Sequence, residues 1–207
     1  MSKVFVQMGI SVDGYVAGPN RSVKNPMGDR KQGLHEWIFA TKSFRDHLGI
    51  PGEGKTGPDN DWVEQTFQRI GANIMGKRMF DEGEAAWPEN APFHNAVFVL
   101  THQKREPWTR PGGTTFHFVN EPLDRVLAMA REAAGTKDVR ISGGGDVVIQ
   151  YLNAGLVDEL VLDIAPVFMG EGLRLFEKID HTKLKLTLSE TFQSPLVTHV
   201  RYSVTKI

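Results

Sequence analysis

The chain has 207 residues, of which 40% are hydrophobic and 24% are charged, with a formal net charge of −1. This composition is typical of a globular domain with a sizeable core, and the near-neutral charge argues against nucleic acid as a partner. The sequence has no cysteine and its seven histidines lack ligand spacing, so we predict no disulfide and no metal site. No apolar run is long enough for a signal peptide or a membrane span. We therefore expect one cytoplasmic domain over residues 1–207, with no membrane partner.

The N-terminal third combines one predicted strand with two helices and two long loops. The strand is expected over 4–10, and the loops over 11–33 and 49–57 are rich in glycine and polar residues. Apolar residues recur at helical spacing over 34–48 and 59–70. The sheet is therefore expected to begin at the N-terminus and to continue only beyond residue 70.

From residue 72 onward, predicted strands alternate with predicted helices. One helix is capped by Asn120 and has Pro122 in its first turn, and another begins at Asp146. The predicted strands are 72–75, 97–100, 114–119, 139–142 and 157–164. This alternation is typical of a mainly parallel sheet that is covered by helices, so the fold class is α/β.

The last third changes to the alternation of an antiparallel strand pair. Apolar residues occupy every second position over 184–188 and again over 200–204, on either side of Ser194-Pro195. This pattern predicts a C-terminal hairpin with one buried face that closes the sheet.

Three adjacent glycines, Gly143 to Gly145, join a predicted strand to a predicted helix. They leave no side chains between the backbone and an approaching ligand. The free N–H groups and the positive dipole end of the helix point into the same gap, which suits a phosphate. The spacing fits neither the Rossmann fingerprint nor the Walker phosphate loop. The segment is therefore either an anion site or a tight turn without a ligand.

Two other segments occupy places where α/β proteins bind ligands. Gly76 ends a predicted strand, and Lys77 and Arg78 follow it as cations that either hold phosphate groups or stay solvated. Asp13-Gly14 follows the first strand and is either a plain turn or part of a site at the carboxyl end of the sheet.

Taken in order, these motifs resemble the dihydrofolate reductase-like superfamily, and more closely the reductase domain at the C-terminus of the bifunctional riboflavin-biosynthesis protein RibD. The similar segments are 10–18, 75–80, 97–101, 141–145, 158–160 and 165–176. They extend over nearly the whole chain, whereas the zinc-binding deaminase half of the bifunctional protein is absent from this sequence. The resemblance implies a three-layer α/β/α fold with a mainly parallel central sheet and an antiparallel C-terminal hairpin.

The resemblance also implies an oxidoreductase that binds NADPH across the carboxyl edge of the sheet. By position, the amides of Gly143, Gly144 and Gly145 and the helix start at Asp146 would hold the pyrophosphate. Lys77 and Arg78 would face the adenosine phosphates. The other cofactor-binding residues that it implies are Val16 and Ala17 near the nicotinamide, Thr101 on the adenosine side, Gly76 and Ser142.

The implied reaction is hydride transfer to the carbon of a C=N bond in a pyrimidine or pterin-like heterocycle. In the riboflavin pathway this substrate is 5-amino-6-(5-phosphoribosylamino)uracil. Asp13 would shape the loop over the substrate. Glu36 occupies a place comparable to the carboxylate that grips the pterin in dihydrofolate reductases, unless it is an ordinary solvated residue. The long loops at 19–33 and 49–60 leave a different heterocyclic substrate open.

Two other functions stay open at this point. A dihydrofolate or pterin reductase requires Glu36 or Asp13 to be buried against the heterocycle. A non-catalytic nucleotide-binding module with the same fold requires an occluded nicotinamide pocket. The family further implies a homodimer, for which the exposed edge of the C-terminal strands is the support within the sequence.

Overall fold

A nine-stranded sheet runs through the computed structural model, which describes residues 2–29 and 33–207. Its strands are β1 (Val4–Ser11), β3 (Ile70–Gly76), β4 (Ala96–Leu100), β5 (Trp108–Thr109), β6 (Thr115–Val119), β7 (Asp138–Gly143), β8 (Glu159–Ala165), β10 (Leu184–Gln193) and β11 (Thr198–Lys206). Two short strands, β2 (Tyr15–Ala17) and β9 (Leu173–Arg174), form a separate antiparallel pair.

The strand order is β10-β11-β8-β1-β7-β3-β4-β6-β5. The run from β8 to β6 is parallel, whereas β11 is antiparallel to β8, and β10 is antiparallel to β11. At the other edge, β5 is antiparallel to β6. The predicted α/β class, with a mainly parallel sheet and an antiparallel C-terminal hairpin, is therefore confirmed.

The helices fill the connections between the strands. They are α1 (Glu36–Ala40), α2 (Lys42–Leu48), α3 (Pro58–Arg69), α4 (Lys77–Glu84), α5 (Leu123–Ala134) and α6 (Gly145–Asn153). No helix within residues 2–29 and 33–207 combines the length and the apolar character needed to cross a membrane.

The helix predicted over 34–48 is divided into α1 and α2. Thr41 takes an extended conformation between them, and its hydroxyl donates to the carbonyl of Ile38 at 2.8 Å. The break is stabilised by Lys55 from the following loop, whose amide donates to Ala40 O and whose carbonyl accepts from Lys42 N. Tertiary hydrogen bonds to the loop therefore replace one turn of continuous helix.

The two faces of the sheet differ in chemistry because side chains alternate along each strand. On one face, Val6, Ile74 and Ile141 are fully buried in a cluster that includes residues of α5 and α6. The other face carries polar side chains such as Gln7 and Arg140, and it is covered by α1 and α3 over β8 and by α4 over β3 and β4. This second face is where the cavities lie.

The C-terminal hairpin departs from the expected burial. In β10, Leu186 and Leu188 are 46% and 57% exposed, and only Leu184 is half-buried among the three leucines of the alternating run. The prediction of one buried face is wrong for this strand, because β10 packs mainly against its neighbour β11 and no helix among the described residues packs extensively over either of its faces. In β11, Val200 and Val204 are buried as expected. The homodimer, which stays a prediction, would use the exposed edge of β10.

Candidate functional site

A cavity of about 320 Å³ opens toward the carboxyl ends of β1 and β7, and we call it the glycine cavity. It is lined by Met8, Gly9, Val16, Ala17, Arg21, Pro26, Met27, His35, Met79, Glu82, Gly83, Ala86, Trp87, Leu173, Gln7 and the turn 142–145. Six of the predicted cofactor residues, Val16, Ala17 and Ser142 to Gly145, therefore meet in one place. They come from β2 and from the β7–α6 turn, which are far apart in sequence.

The start of α6 presents backbone donors to this cavity. Gly144 is the residue before the helix, and no side chain caps it. Its carbonyl accepts from Val147 N and Val148 N, whereas no acceptor in the described part of the chain is bonded to the amides of Gly145 or Asp146. Gly143 has a φ of 124°, which favours glycine, and the Gly143–Gly144 peptide bond is cis. The turn thus combines two free amides with the positive end of a nine-residue helix.

Open space adjoins Gly144. A Cβ on this residue would meet no protein atom within 4 Å, whereas a Cβ on Gly145 would lie 3.5 Å from Leu173 Cδ2. A ligand can therefore approach the backbone at Gly144, whereas a side chain on Gly145 would point toward Leu173. These two glycines have different surroundings although they are adjacent.

The predicted phosphate cations begin α4 but do not line the glycine cavity. Lys77 Nζ donates to both oxygens of Asp81, at 2.5 and 2.6 Å. Arg78 Nε donates to Glu82 at 3.3 Å, and most of its side chain is exposed. Binding of phosphate by either cation would require it to leave its partner. Gly76 precedes them at the helix cap, where a Cβ would lie 3.0 Å from Val147 Cγ2.

Arg21 and Glu82 form an ion pair in the cavity wall that sequence reasoning missed. Arg21 Nη2 lies 2.5 Å from Glu82 Oε2, and both side chains are largely buried. Arg21 belongs to the long loop after β1, so this pair fixes the loop against α4. The signal in the sequence is weak, because an arginine in a polar loop is ordinary.

Thr101 and Asp146 lie at the periphery. Thr101 follows β4, and its hydroxyl accepts from Gln103 N at 3.0 Å. The Asp146 side chain is 75% exposed and faces Lys178 Nζ at 3.4 Å. Asp146 follows the lining residue Gly145, and its backbone amide is the group that stays free at the start of α6.

Asp13 and Glu36 do not lie in the glycine cavity. Asp13 accepts from the Ser11 hydroxyl at 2.6 Å and from the amides of Met169 and Gly170, and these bonds lower its pKa to about 2. It therefore shapes the loop after β1 but is too acidic to donate a proton near neutral pH. Glu36 is exposed and accepts from Gly33 N at 3.1 Å. Neither carboxylate meets the requirement for a dihydrofolate-type site, which is burial against the heterocycle.

A second cavity of about 260 Å³, the inner cavity, adjoins the first between the sheet and helices α1 and α3. Both cavities are lined by Gln7, Gly9, His35, Met79 and Ser142. The inner cavity has apolar walls formed by Trp37, Ile38, Phe44, Val63 and Phe67, and its polar lining includes Arg140 and Asp163. Space beside the glycine turn therefore continues under the helices.

Asp163 is the buried carboxylate of the inner cavity. Its Oδ1 accepts from His199 Nδ1 at 2.6 Å and from Trp62 Nε1 at 3.1 Å, and its Oδ2 accepts from Gln7 Nε2 at 2.8 Å. Because Gln7 uses its amide nitrogen in this bond, its amide oxygen points away from Asp163 Oδ2. Within the described residues, buried Gln7 Oε1 and buried Trp37 Nε1 have no hydrogen-bond partner. These two polar atoms therefore lie within the wall of the inner cavity, covered by neighbouring protein atoms.

His35 lies where the two cavities meet. Burial lowers its pKa below the usual 6.5, and the charge of Asp163 acts in the opposite direction. His35 is therefore neutral near pH 7. The His35 ring also accounts for the glycine at position 9, since a Cβ on Gly9 would lie 2.8 Å from His35 Nε2.

Solved structures with reductase-type folds match nearly all of this chain. The dihydrofolate reductase from Enterococcus faecalis, complexed with NADP(H), is 13% identical, with a TM-score of 0.51 over 99% of this chain and 96% of its own. A putative riboflavin biosynthesis protein from Shewanella sp. PV-4 is 20% identical, with a TM-score of 0.67 over 98% of this chain and 99% of its own. The fold is that of the dihydrofolate reductase-like reductases.

The model of the RibD C-terminal domain family matches residues 2–198, and the chain belongs to this family. The resemblance inferred from the motifs is thereby confirmed. The chain is also 24% identical over 202 residues to the uncharacterized protein YyaP of Bacillus subtilis, with 94% of this chain and 92% of the relative covered.

Proposed function

We propose that this protein is an NADPH-dependent reductase that transfers a hydride to a C=N carbon of a pyrimidine or pterin-like heterocycle. The observation that carries the proposal is the pair of free amides at Gly145 and Asp146, beside open space at Gly144. Membership of the RibD C-terminal family and the reductase-type fold support it.

The residues of the glycine cavity fit a dinucleotide. The amides of Gly145 and Asp146 would hold the pyrophosphate, and Val16 and Ala17 would contact the nicotinamide end. Lys77 would leave its partner Asp81 and bind a 2′-phosphate instead. NADPH supplies the hydride when it is bound.

The inner cavity is the place for the heterocycle, because it adjoins the glycine cavity and has apolar walls with Arg140 and Asp163 in its polar lining. These apolar walls would exclude water and pack against the ring. Asp13, whose pKa is about 2, is ionised and does not supply the proton, which comes from water or from a closer acid. An accessible cavity of about 320 Å³ beside the glycine turn disfavours the non-catalytic alternative, which requires an occluded pocket.

Two adjacent glycine variants test the cofactor site. We expect Gly144→Ala to weaken NADPH binding at least about tenfold, or about 1.4 kcal/mol, because its methyl group enters the space of the ligand. Gly145→Ala is the matched control: its methyl group makes ordinary contacts with Leu173, so the affinity should change little. Titration with NADPH and with NADH, followed by tryptophan fluorescence, measures both variants, since Trp87 lines the cavity.

Thermal unfolding of each variant establishes that it is folded. If the wild-type protein binds neither dinucleotide, the reductase proposal is wrong. If Gly144→Ala binds NADPH as tightly as Gly145→Ala does, the pyrophosphate is not at this turn. If NADPH binds, its oxidation in the presence of a panel of pyrimidines and pterins would identify the substrate.

A further inference from the structure

Arg140 is a cation without an anionic partner at the base of the inner cavity. It lies on β7, and its half-buried side chain also lines a neighbouring groove of about 640 Å³, the aromatic groove, with Phe44, His47 and Phe67. Arg140 Nε donates to Asn73 Oδ1 at 2.8 Å. Across residues 2–29 and 33–207, it forms no ion pair with a carboxylate, and its two Nη groups have no hydrogen-bond acceptor.

The guanidinium is charged and held in a fixed orientation. Burial lowers its pKa to about 10, which still leaves it protonated near neutral pH. Its anchor, Asn73, is fully buried, and the Asn73 amide is fixed by the hydroxyl of Ser142 at 2.7 Å and by Asn95 Oδ1 at 2.7 Å. With Nε used, the two Nη groups remain as a fork for a bidentate acceptor. Because a desolvated charge without a partner is unfavourable, the site is suited to an anion.

The surroundings favour an anion with a single charge. His47 Nε2 lies 2.8 Å from the carbonyl of Pro92, to which it donates. Burial lowers the pKa of His47, the bond to Pro92 opposes this, and the charges of His94 and Arg140 lower it further, so the net shift is downward and His47 is neutral near pH 7. His35 is neutral as well. Among the described residues, Arg140 is the only lysine or arginine that lines the inner cavity or the aromatic groove. It therefore balances one negative charge, whereas the charge of a phosphate, about −1.5 to −2 near neutral pH, would be balanced only in part.

We propose that the substrate is a planar heterocycle that carries a carboxylate, and that Arg140 binds this carboxylate through its two Nη groups. The ring would lie among Phe44, Phe67 and Met79, with its reacting carbon toward the glycine cavity. This inference rests on the proposed reductase function and specifies the substrate class. It differs from a phosphoribosyl pyrimidine, whose anionic group carries more than one charge.

Pairs of probes that differ in the anionic group test the proposal on the full chain with NADP⁺ bound, so that no turnover occurs. The acids are pterin-6-carboxylate and orotate, and their neutral partners are 6-methylpterin and 6-methyluracil. By calorimetry near neutral pH, we expect at least one acid to bind at least about tenfold tighter than its partner. Uridine monophosphate should gain no comparable advantage over uridine.

Three variants assign the effect to the side chain. Arg140→Met should abolish the preference for the acid, and Arg140→Lys should keep part of it, because lysine retains the charge but not the fork. Arg125→Met, at an exposed position on α5, is the matched control and should leave the preference intact. If Arg140→Met does not fold, the comparison of the probe pairs on the wild-type protein and on Arg140→Lys still tests whether Arg140 binds the carboxylate.

The outcomes separate this inference from the proposed function. If NADP⁺ does not bind, the reductase proposal fails, and the same probes are compared on the free protein. If NADP⁺ binds but neither acid is preferred, or if the preference survives Arg140→Met, the carboxylate site is wrong. A preference for uridine monophosphate that depends on Arg140 would overturn the single-charge argument.

Discussion

The two faces of the parallel sheet are built from the same strands but perform different tasks. On β7, Ile141 is fully buried against the face covered by α5 and α6, and its neighbour Arg140 faces the cavities. The same contrast appears on β1, where Val6 joins the apolar cluster and Gln7 binds Asp163. One face contains close-packed aliphatic side chains, and the other combines buried apolar and aromatic clusters with the fixed polar groups that line the cavities.

The contrast indicates how the molecule separates stability from ligand recognition. Buried aliphatic groups stabilise the fold in proportion to the apolar area removed from water. Buried polar groups contribute little net stability, but they hold donors, acceptors and charges in defined positions. Substitutions on opposite faces of one strand should therefore have opposite consequences for stability and for binding.

Adjacent substitutions on β7 should show the largest effect. Ile141→Ala should lower the free energy of unfolding by about 2–5 kcal/mol, because it leaves a cavity in a fully buried cluster. Arg140→Met should change it by less than about 1.5 kcal/mol, since it removes a desolvated charge and leaves Asn73 bonded to Ser142. Urea unfolding measures both. The separation of the two faces would be disproved by a larger loss of stability in Arg140→Met than in Ile141→Ala.

A smaller effect is expected from pH on the polar face. The pKa of His35 is lowered in the folded protein, so the unfolded chain takes up a proton first as the pH falls below 6.5. The contribution of His35 to stability is therefore full above this pH and decreases below it. In His35→Gln, the urea midpoint should decrease less steeply than in the wild-type protein as the pH is lowered. An unchanged slope in the variant would show that other groups cause the pH dependence.

The smallest effect is expected at Asp13, outside both faces. Its pKa is lowered from 3.8 to about 2, chiefly by the Ser11 hydroxyl. The stabilisation is present above 3.8 and is lost as the pH falls toward 2. Asp13→Asn should therefore be less stable than the wild-type protein near neutral pH, with a difference that shrinks in acid. Urea midpoints at several pH values test this, and a constant difference would contradict it.

The alternation of strands and helices could be predicted because each element has a local signal. The helix predicted over 59–70 is α3, Pro58–Arg69, and the strand predicted over 97–100 is β4, Ala96–Leu100. The break at Thr41 could not be predicted, since it depends on hydrogen bonds to Lys55. Burial of β10 was predicted wrongly, because alternation indicates a strand but not whether anything covers it.

The glycine turn was identifiable from sequence because adjacent glycines before a helix are a local pattern. The inner cavity was not identified, because Gln7, Arg140 and Asp163 come from three strands that meet only in the folded sheet. A signal was nevertheless present. Each of these residues is a polar side chain between two apolar neighbours of its strand, at a position where alternation points it away from the aliphatic core. The sequence shows which residues are charged, but not which of them form ion pairs. The absence of an anionic partner for Arg140 could therefore be recognised only in the structure.

The position of β1 also has a consequence for biosynthesis. Its residues 4–11 are bordered by β7 and β8, so they pair with residues 139–141 and 159–165, which are synthesised more than a hundred residues later. At about 5–20 residues per second, translation takes several seconds to about half a minute to provide these neighbours. During that time Val4, Phe5 and Val6 lack their sheet partners. The centre of the sheet can close only after most of the chain has left the ribosome, so the nascent chain depends on solubility or on chaperones until residue 165 has emerged.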